Sequence, residues 1–198
     1  MAQLTKNSGG VHIGIPFDMV REYQLLTAPR LLTTGITQTE ISILEGDYYQ
    51  AYTRDTLATG TSVYYQFVTP PTKFFGFRFT EFSSSLGDSE IYMYKDPTGV
   101  VTGAAVTPLN FNSYIPRVAT ATFNAVTSIT TPGTEFFWDF IPSGSGARPA
   151  GGSASREGFF IIAPSTPLLF KLTNNAAQDS TMRLLLEWVE VTPSVLSE

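Results

Sequence analysis

The chain has 198 residues and a formal charge of −5, from 12 Lys and Arg against 17 Asp and Glu, and it contains no cysteine. Disulfides, Cys-ligated zinc, iron–sulfur clusters and a Cys nucleophile are therefore excluded. The basic residues stand singly from Lys6 to Arg183, which speaks against the clustered positive face that nucleic-acid binding requires.

Hydrophobic residues make up 42% of the chain and charged residues only 15%. That balance supports one well-buried domain whose surface is rich in Thr and Ser, or is partly covered by another chain. The opening MAQLTKNSGG lacks the apolar core of a signal peptide, and no apolar run reaches the roughly 18 residues that span a bilayer. Folding in the cytosol, without a membrane partner, is the expectation.

Residues 1–46 read as an N-terminal arm. Ser8-Gly9-Gly10 is a flexible link, and Val11–Pro16 reads as a short strand ended by its proline. Phe17–Leu26 (FDMVREYQLL) is the one stretch with a helical turn or two. Such an arm either lies on a partner or packs on its own domain as an extra strand and cap. Histidine occurs once, at His12, so a two-histidine metal site is impossible. A Ser-His-Asp triad would have to draw on the arm.

Residues 47–192 read as a β-sandwich and 193–198 as a C-terminal tail. Nine strands are predicted from alternation and turn chemistry: Tyr48–Arg54, Thr61–Val68, Phe74–Phe82, Glu90–Lys95, Thr120–Thr127, Glu135–Ile141, Glu157–Ile162, Leu168–Thr173 and Thr181–Val189. Phe75, Phe77 and Phe79 fall on one face of the third strand. Met182, Leu184, Leu186 and Trp188 fall on one face of the last. Asp96-Pro97-Thr98-Gly99 and Thr131-Pro132-Gly133-Thr134 are turns. Gly144–Gly158 (GSGARPAGGSASREG) reads as a surface or interface loop. It lacks the Gly-Lys-Ser/Thr ending of a phosphate-binding loop. Nothing provides the crossover helices of a parallel fold. The fold class is all-β, an antiparallel β-sandwich with an N-terminal arm.

No acid–base set converges in this pattern, so the chain does not read as an enzyme, and neither a cofactor nor a metal site is expected. Asp139 interrupts the aromatic run Glu135–Ile141. It faces solvent or pairs with an arginine, sharing a face with Phe137 and opposing Phe136, Trp138 and Phe140. Glu81, Glu187 and Glu190 read as ordinary strand-edge acids. Tyr48, Tyr49, Tyr52, Tyr64 and Tyr65 sit in adjacent strands, as sheet-stabilising pairs, subunit contacts or a platform for sugars.

The order of segments resembles a family of small tailed-bacteriophage virion proteins similar to capsid decoration, or cement, proteins. The segments are EGDYYQAY (Glu45–Tyr52), FVTPPTKFFGFRF (Phe67–Phe79), EIYMYKDPTG (Glu90–Gly99), VTPLNFNS (Val106–Ser113), GGSASREGFFIIAPSTPLLFKLTN (Gly151–Asn174) and LLLEWVE (Leu184–Glu190). The resemblance covers about Glu45 to Val191. Its most distinctive parts are Thr107-Pro108-Leu109-Asn110-x-Asn112, the Gly-Gly-x-x-x-Arg-x-Glu run ending at Glu157, and Glu187-Trp188. Ser113-Tyr114 departs from the Arg or Asn expected after Asn112.

The resemblance implies a jelly-roll-like homotrimer on the capsid exterior, assembled in the host cytoplasm and bridging copies of the major capsid protein. Phe17, Met19, Tyr23 and Leu25 would then be the capsid-contact residues of the arm. Deleting residues 1–28 should abolish capsid binding while leaving the sandwich folded. The alternatives are a carbohydrate-binding head fibre or receptor-binding module, and a tail or baseplate structural protein.

Overall fold

The structure, a computed structural model, describes residues 38–142 and 152–191. The chain divides into two compact units, Met1–Ile41 and Ser42–Glu198, and the strands described below belong to the second. The arm anchors Phe17, Met19, Tyr23 and Leu25, the helical stretch Phe17–Leu26, His12 and the 193–198 tail lie outside the described residues.

One helix is described, α1 (Gln38–Glu45), where no helix is predicted from the sequence. Thr39, Ile41, Ser42 and Ile43 are weak helix formers, so propensity gives little sign of it. Its C-terminal signal is stronger. Gly46 takes a left-handed φ of 77°. Its N–H donates to the Ile43 carbonyl at 3.0 Å, and the Asp47 N–H donates to the Ser42 carbonyl at 2.9 Å. These two bonds form a Schellman cap, which favours glycine.

Eleven strands follow: β1 (Tyr48–Leu57), β2 (Ser62–Val68), β3 (Phe74–Ser84), β4 (Ser89–Lys95), β5 (Val101–Ala105), β6 (Leu109–Asn110), β7 (Thr122–Ser128), β8 (Thr134–Ile141), β9 (Gly152–Ile162), β10 (Pro167–Asn174) and β11 (Ser180–Val191). They form two antiparallel sheets, one ordered β6-β1-β11-β3-β9 and the other β5-β7-β2-β10-β4-β8. Strand β1 pairs with β11, β2 with β10, β3 with β9 and β4 with β8. Four outgoing strands thus meet four returning ones, with alternate pairs rolled into opposite sheets. This is the winding of a jelly roll, and the all-β sandwich read from the sequence is the observed fold.

Alternation builds the core. Tyr49 and Ala51 of β1, Phe75, Phe77 and Phe82 of β3, and Met182, Leu184, Leu186 and Trp188 of β11 line one inner face. Tyr65 and Phe67 of β2, Ile91 and Met93 of β4, Phe123 of β7, and Leu168, Phe170 and Leu172 of β10 line the other. Phe67 stands at the centre, with ring centroids 4.9 Å from Phe75, 5.3 Å from Phe77 and 5.1 Å from Trp188. Edge-on and tilted geometries of this kind add to the burial of large rings.

The structure departs from the sequence reading in four strands. In β3 the ladder skips one residue, so that Phe77 pairs with Trp188 and Phe79 with Glu187. The bulge breaks the strict alternation read for this strand, and Phe75, Phe77 and Phe82 belong to the core. Strand β9 begins at Gly152, so the second half of the Gly-rich stretch is strand rather than loop. Its pairing with Glu81–Ser84 supplies what its composition does not. Strands β5 and β6 are additional. The first, VTGAA, is exposed throughout and carries no inward period. The second has only two residues.

These additional strands belong to one excursion between β4 and β8, which crosses to the far edge of the sandwich. There β5 and β7 extend one sheet beyond β2, and β6 extends the other beyond β1. The connection from β6 to β7 carries the candidate site.

Candidate functional site

Two asparagines shape the β6–β7 connection. Asn110 donates through Nδ2 to the carbonyls of Gly46 at 2.8 Å and Arg117 at 2.9 Å, while its Oδ1 accepts from the Asn112 N–H at 2.7 Å. Asn112 repeats the pattern. Its Oδ1 accepts from the N–H groups of Tyr114 at 2.9 Å and Ile115 at 2.8 Å, and its Nδ2 donates to the Leu44 carbonyl at 2.8 Å. Asparagine suits both places because its amide both donates and accepts within one turn. These are the two asparagines of the Thr-Pro-Leu-Asn-x-Asn segment.

Charge holds the exit of the loop. Arg117 Nη1 donates to Asp47 Oδ2 at 2.7 Å. Glu190, fully buried, accepts from the N–H groups of Thr120 at 3.0 Å and Ala121 at 2.9 Å and from Trp188 Nε1 at 3.2 Å, and pairs with Lys73 Nζ at 3.3 Å. Burial alone would raise its pKa. The hydrogen bonds from Thr120, Ala121 and Trp188 outweigh burial and hold it below the ordinary glutamate value. Glu190 is thus an anchor of this loop and not the strand-edge acid read from the sequence. Glu187 is also engaged, accepting from Tyr48 Oη at 2.7 Å.

What the pinned loop presents is largely apolar, beside exposed Ser113 and Arg117. Phe111 packs edge-on against Tyr48 at 4.9 Å yet remains partly exposed. Tyr114 is 91% and Val118 87% exposed, with Leu109 and Ile115 of the same segment and Leu44 of α1 also open to solvent. Large apolar side chains on a surface loop with a fixed backbone are unusual for a face that stays in water.

A second exposed surface lies on the outer face of the β5–β8 sheet. Tyr64, Lys171, Tyr92 and Trp138 stand in one register row across β2, β10, β4 and β8. Trp138 and Phe140 stack at 5.2 Å and 17°, and Tyr92 and Tyr94 at 6.1 Å and 16°. Lys171 Nζ lies 5.2 Å from the Tyr92 ring centroid. Burial, then the hydrogen bond to Glu90, raises the Tyr92 pKa, so its phenol stays a neutral donor.

Tyr48, Tyr49 and Tyr65 are core residues, leaving Tyr52 and Tyr64 outward. Asp139 is half-buried and accepts the Phe140 N–H at 2.8 Å. It makes no ion pair with an arginine among the described residues. No three His, Asp or Glu side chains among the described residues gather as a metal site.

The sequence reading placed contacts on the arm and missed the β6–β7 loop. The available signal was the run Phe111, Tyr114, Ile115 and Val118 between and beyond Pro108 and Pro116. These large apolar residues keep no strand period. Compared with family models, curated proteins and solved structures, the chain matches none.

Proposed function

We propose that the protein is a structural virion protein of the capsid-decoration kind, a homotrimer that seats on the outside of a tailed-phage head and bridges major capsid subunits. The observation that carries this reading is the β6–β7 loop, a hydrogen-bonded, outward-facing and largely apolar surface built by the asparagines of the segment on which the family resemblance rests. A loop backbone hydrogen-bonded in place before binding loses little conformational entropy on docking, and the aromatic and aliphatic side chains it carries make efficient interface anchors. The jelly-roll winding of the domain is compatible with this role. The arm, with Phe17, Met19, Tyr23 and Leu25, would add a second attachment.

The test is co-sedimentation with mature heads stripped of the protein, against immature shells. Saturable binding at a fixed ratio to capsid subunits, selective for the expanded shell, is expected. Replacing Tyr114 and Val118 together by Ser should weaken binding by roughly 10- to 100-fold, from the loss of two buried side chains. A second reading, a carbohydrate-binding head fibre or receptor-binding module, is favoured by the stacked rings of Tyr92, Tyr94, Trp138 and Phe140. Absence of binding to either shell, together with glycan binding that Trp138→Ala removes, would replace the first reading by the second.

A further inference from the structure

The outer face of the other sheet holds a pair of arginines without an ion-pair partner among the described residues. Arg54 of β1 and Arg183 of β11 are direct cross-strand partners, which puts their Cα atoms about 4.5–5.5 Å apart on one face. Both are exposed. Among the described residues the ion pairs are Lys73–Glu190 and Arg117–Asp47, so no described carboxylate lies within 4.0 Å of either guanidinium. Glu81, on the neighbouring strand, stands two pairs along, opposite Leu185.

Like charges directly opposite on adjacent strands destabilise a sheet. A guanidinium cannot relieve this by losing its proton. The repulsion persists in a chain whose net charge is −5, so it is not part of a general basic surface.

The surroundings form a receptor. Arg54 and Arg183 line a depression of about 660 Å³ together with Tyr52, Ser83, Ser85 and Thr181. Arg183 lies over the Tyr52 ring, its Cζ 5.8 Å from the centroid, which holds one guanidinium on an aromatic shelf. Ser83 pairs with Arg183 in the β11·β3 register and places a hydroxyl donor on the same row. Two planar forks of donors and a hydroxyl converging on one depression match the oxygens of a tetrahedral anion.

We infer that this depression is a binding site for an oxyanion of the phosphate or sulfate class, held between Arg54 and Arg183. The anion is either the free ion or an ester group carried on a larger molecule. It turns the arginine–arginine repulsion into two charge-assisted attractions. The site is separate from the β6–β7 loop and does not depend on the capsid reading.

The experiment is thermal unfolding of the full-length protein in a chloride buffer of fixed ionic strength, titrated with inorganic phosphate, sulfate or glycerol phosphate. For the native chain the Tm should rise saturably, by roughly 3 °C at ten times Kd. Arg54→Gln and Arg183→Gln should each abolish the rise, and Arg54→Gln, which removes the repulsion and leaves the Arg183–Tyr52 contact in place, should melt no lower than the native chain in chloride alone. A response to glycerol phosphate at least equal to that to phosphate assigns the site to an ester group, and a weaker one to the free ion. Equal shifts in the native chain and both variants would mean general salting and an adventitious ion only, and would overturn the site. So would the absence of any shift.

Discussion

Glu190 shows what a single residue contributes to this molecule. Its carboxylate is buried yet collects N–H donors from Thr120, Ala121 and Trp188 and faces Lys73. Glu190→Gln replaces one accepting oxygen with an NH₂ group pointing at donors, and should cost about 2–4 kcal/mol at neutral pH, measured by urea unfolding. The pH dependence has a definite sign. The folded pKa lies below 4.5, so the carboxylate's contribution is complete above the unfolded value and fades as pH falls through the folded one. The gap between native and variant stability should therefore narrow in acid. A gap that widened in acid would mean that Glu190 is protonated in the fold. Sequence gave no warning of this role, because the last strand's alternation assigns positions to faces but does not say which outward or terminal position another loop will cover.

At the level of elements, the loop and the helix are coupled through Gly46. Its left-handed backbone closes α1, and its carbonyl accepts from Asn110. A Cβ placed there would lie 2.6 Å from the Ile115 carbonyl oxygen. Gly46→Ala should therefore cost about 1–3 kcal/mol by thermal melt. It should also raise amide exchange at Tyr114 and Ile115, whose N–H groups Asn112 holds. A variant with native stability and exchange would show that the cap and the loop are independent. This scale also marks where sequence reading succeeds. β4 and β11 are legible because one face is buried without interruption, as at Ile91 and Met93 or Met182 to Trp188. The bulge in β3 and the start of β9 at Gly152 depend on the partner strand's register, which local composition does not encode. The Asn110–Asn112 spacing was visible as a distinctive segment. Its use, turning apolar side chains outward, depends on carbonyls of Leu44 and Gly46 about 65 residues earlier.

For the whole molecule, the proposed capsid role asks how a small domain would hold a large shell. The described core is drawn entirely from strands of both sheets and from Ala121 beside them. On the proposed reading, a chain lacking residues 1–28, and with them Phe17, Met19, Tyr23 and Leu25, should keep its folded sandwich and a cooperative melt. Binding should behave differently. If each copy in a trimer attaches through both arm and β6–β7 loop, each contact raises the effective concentration of the others. Removing the arm then lowers apparent affinity by roughly 10²-fold or more without a new clash. The loop variant at Tyr114 and Val118 should show its own loss, and the combined variant should lose the gain from linkage. The measurement is co-sedimentation of all three variants against stripped mature heads, with the melt of each as a control for folding. A truncated chain that binds as tightly as the full chain would remove the arm from the interface and leave the loop as the docking element. A truncated chain that fails to fold would instead make residues 1–28 part of the domain's own stability, the other role left open for the arm by its sequence.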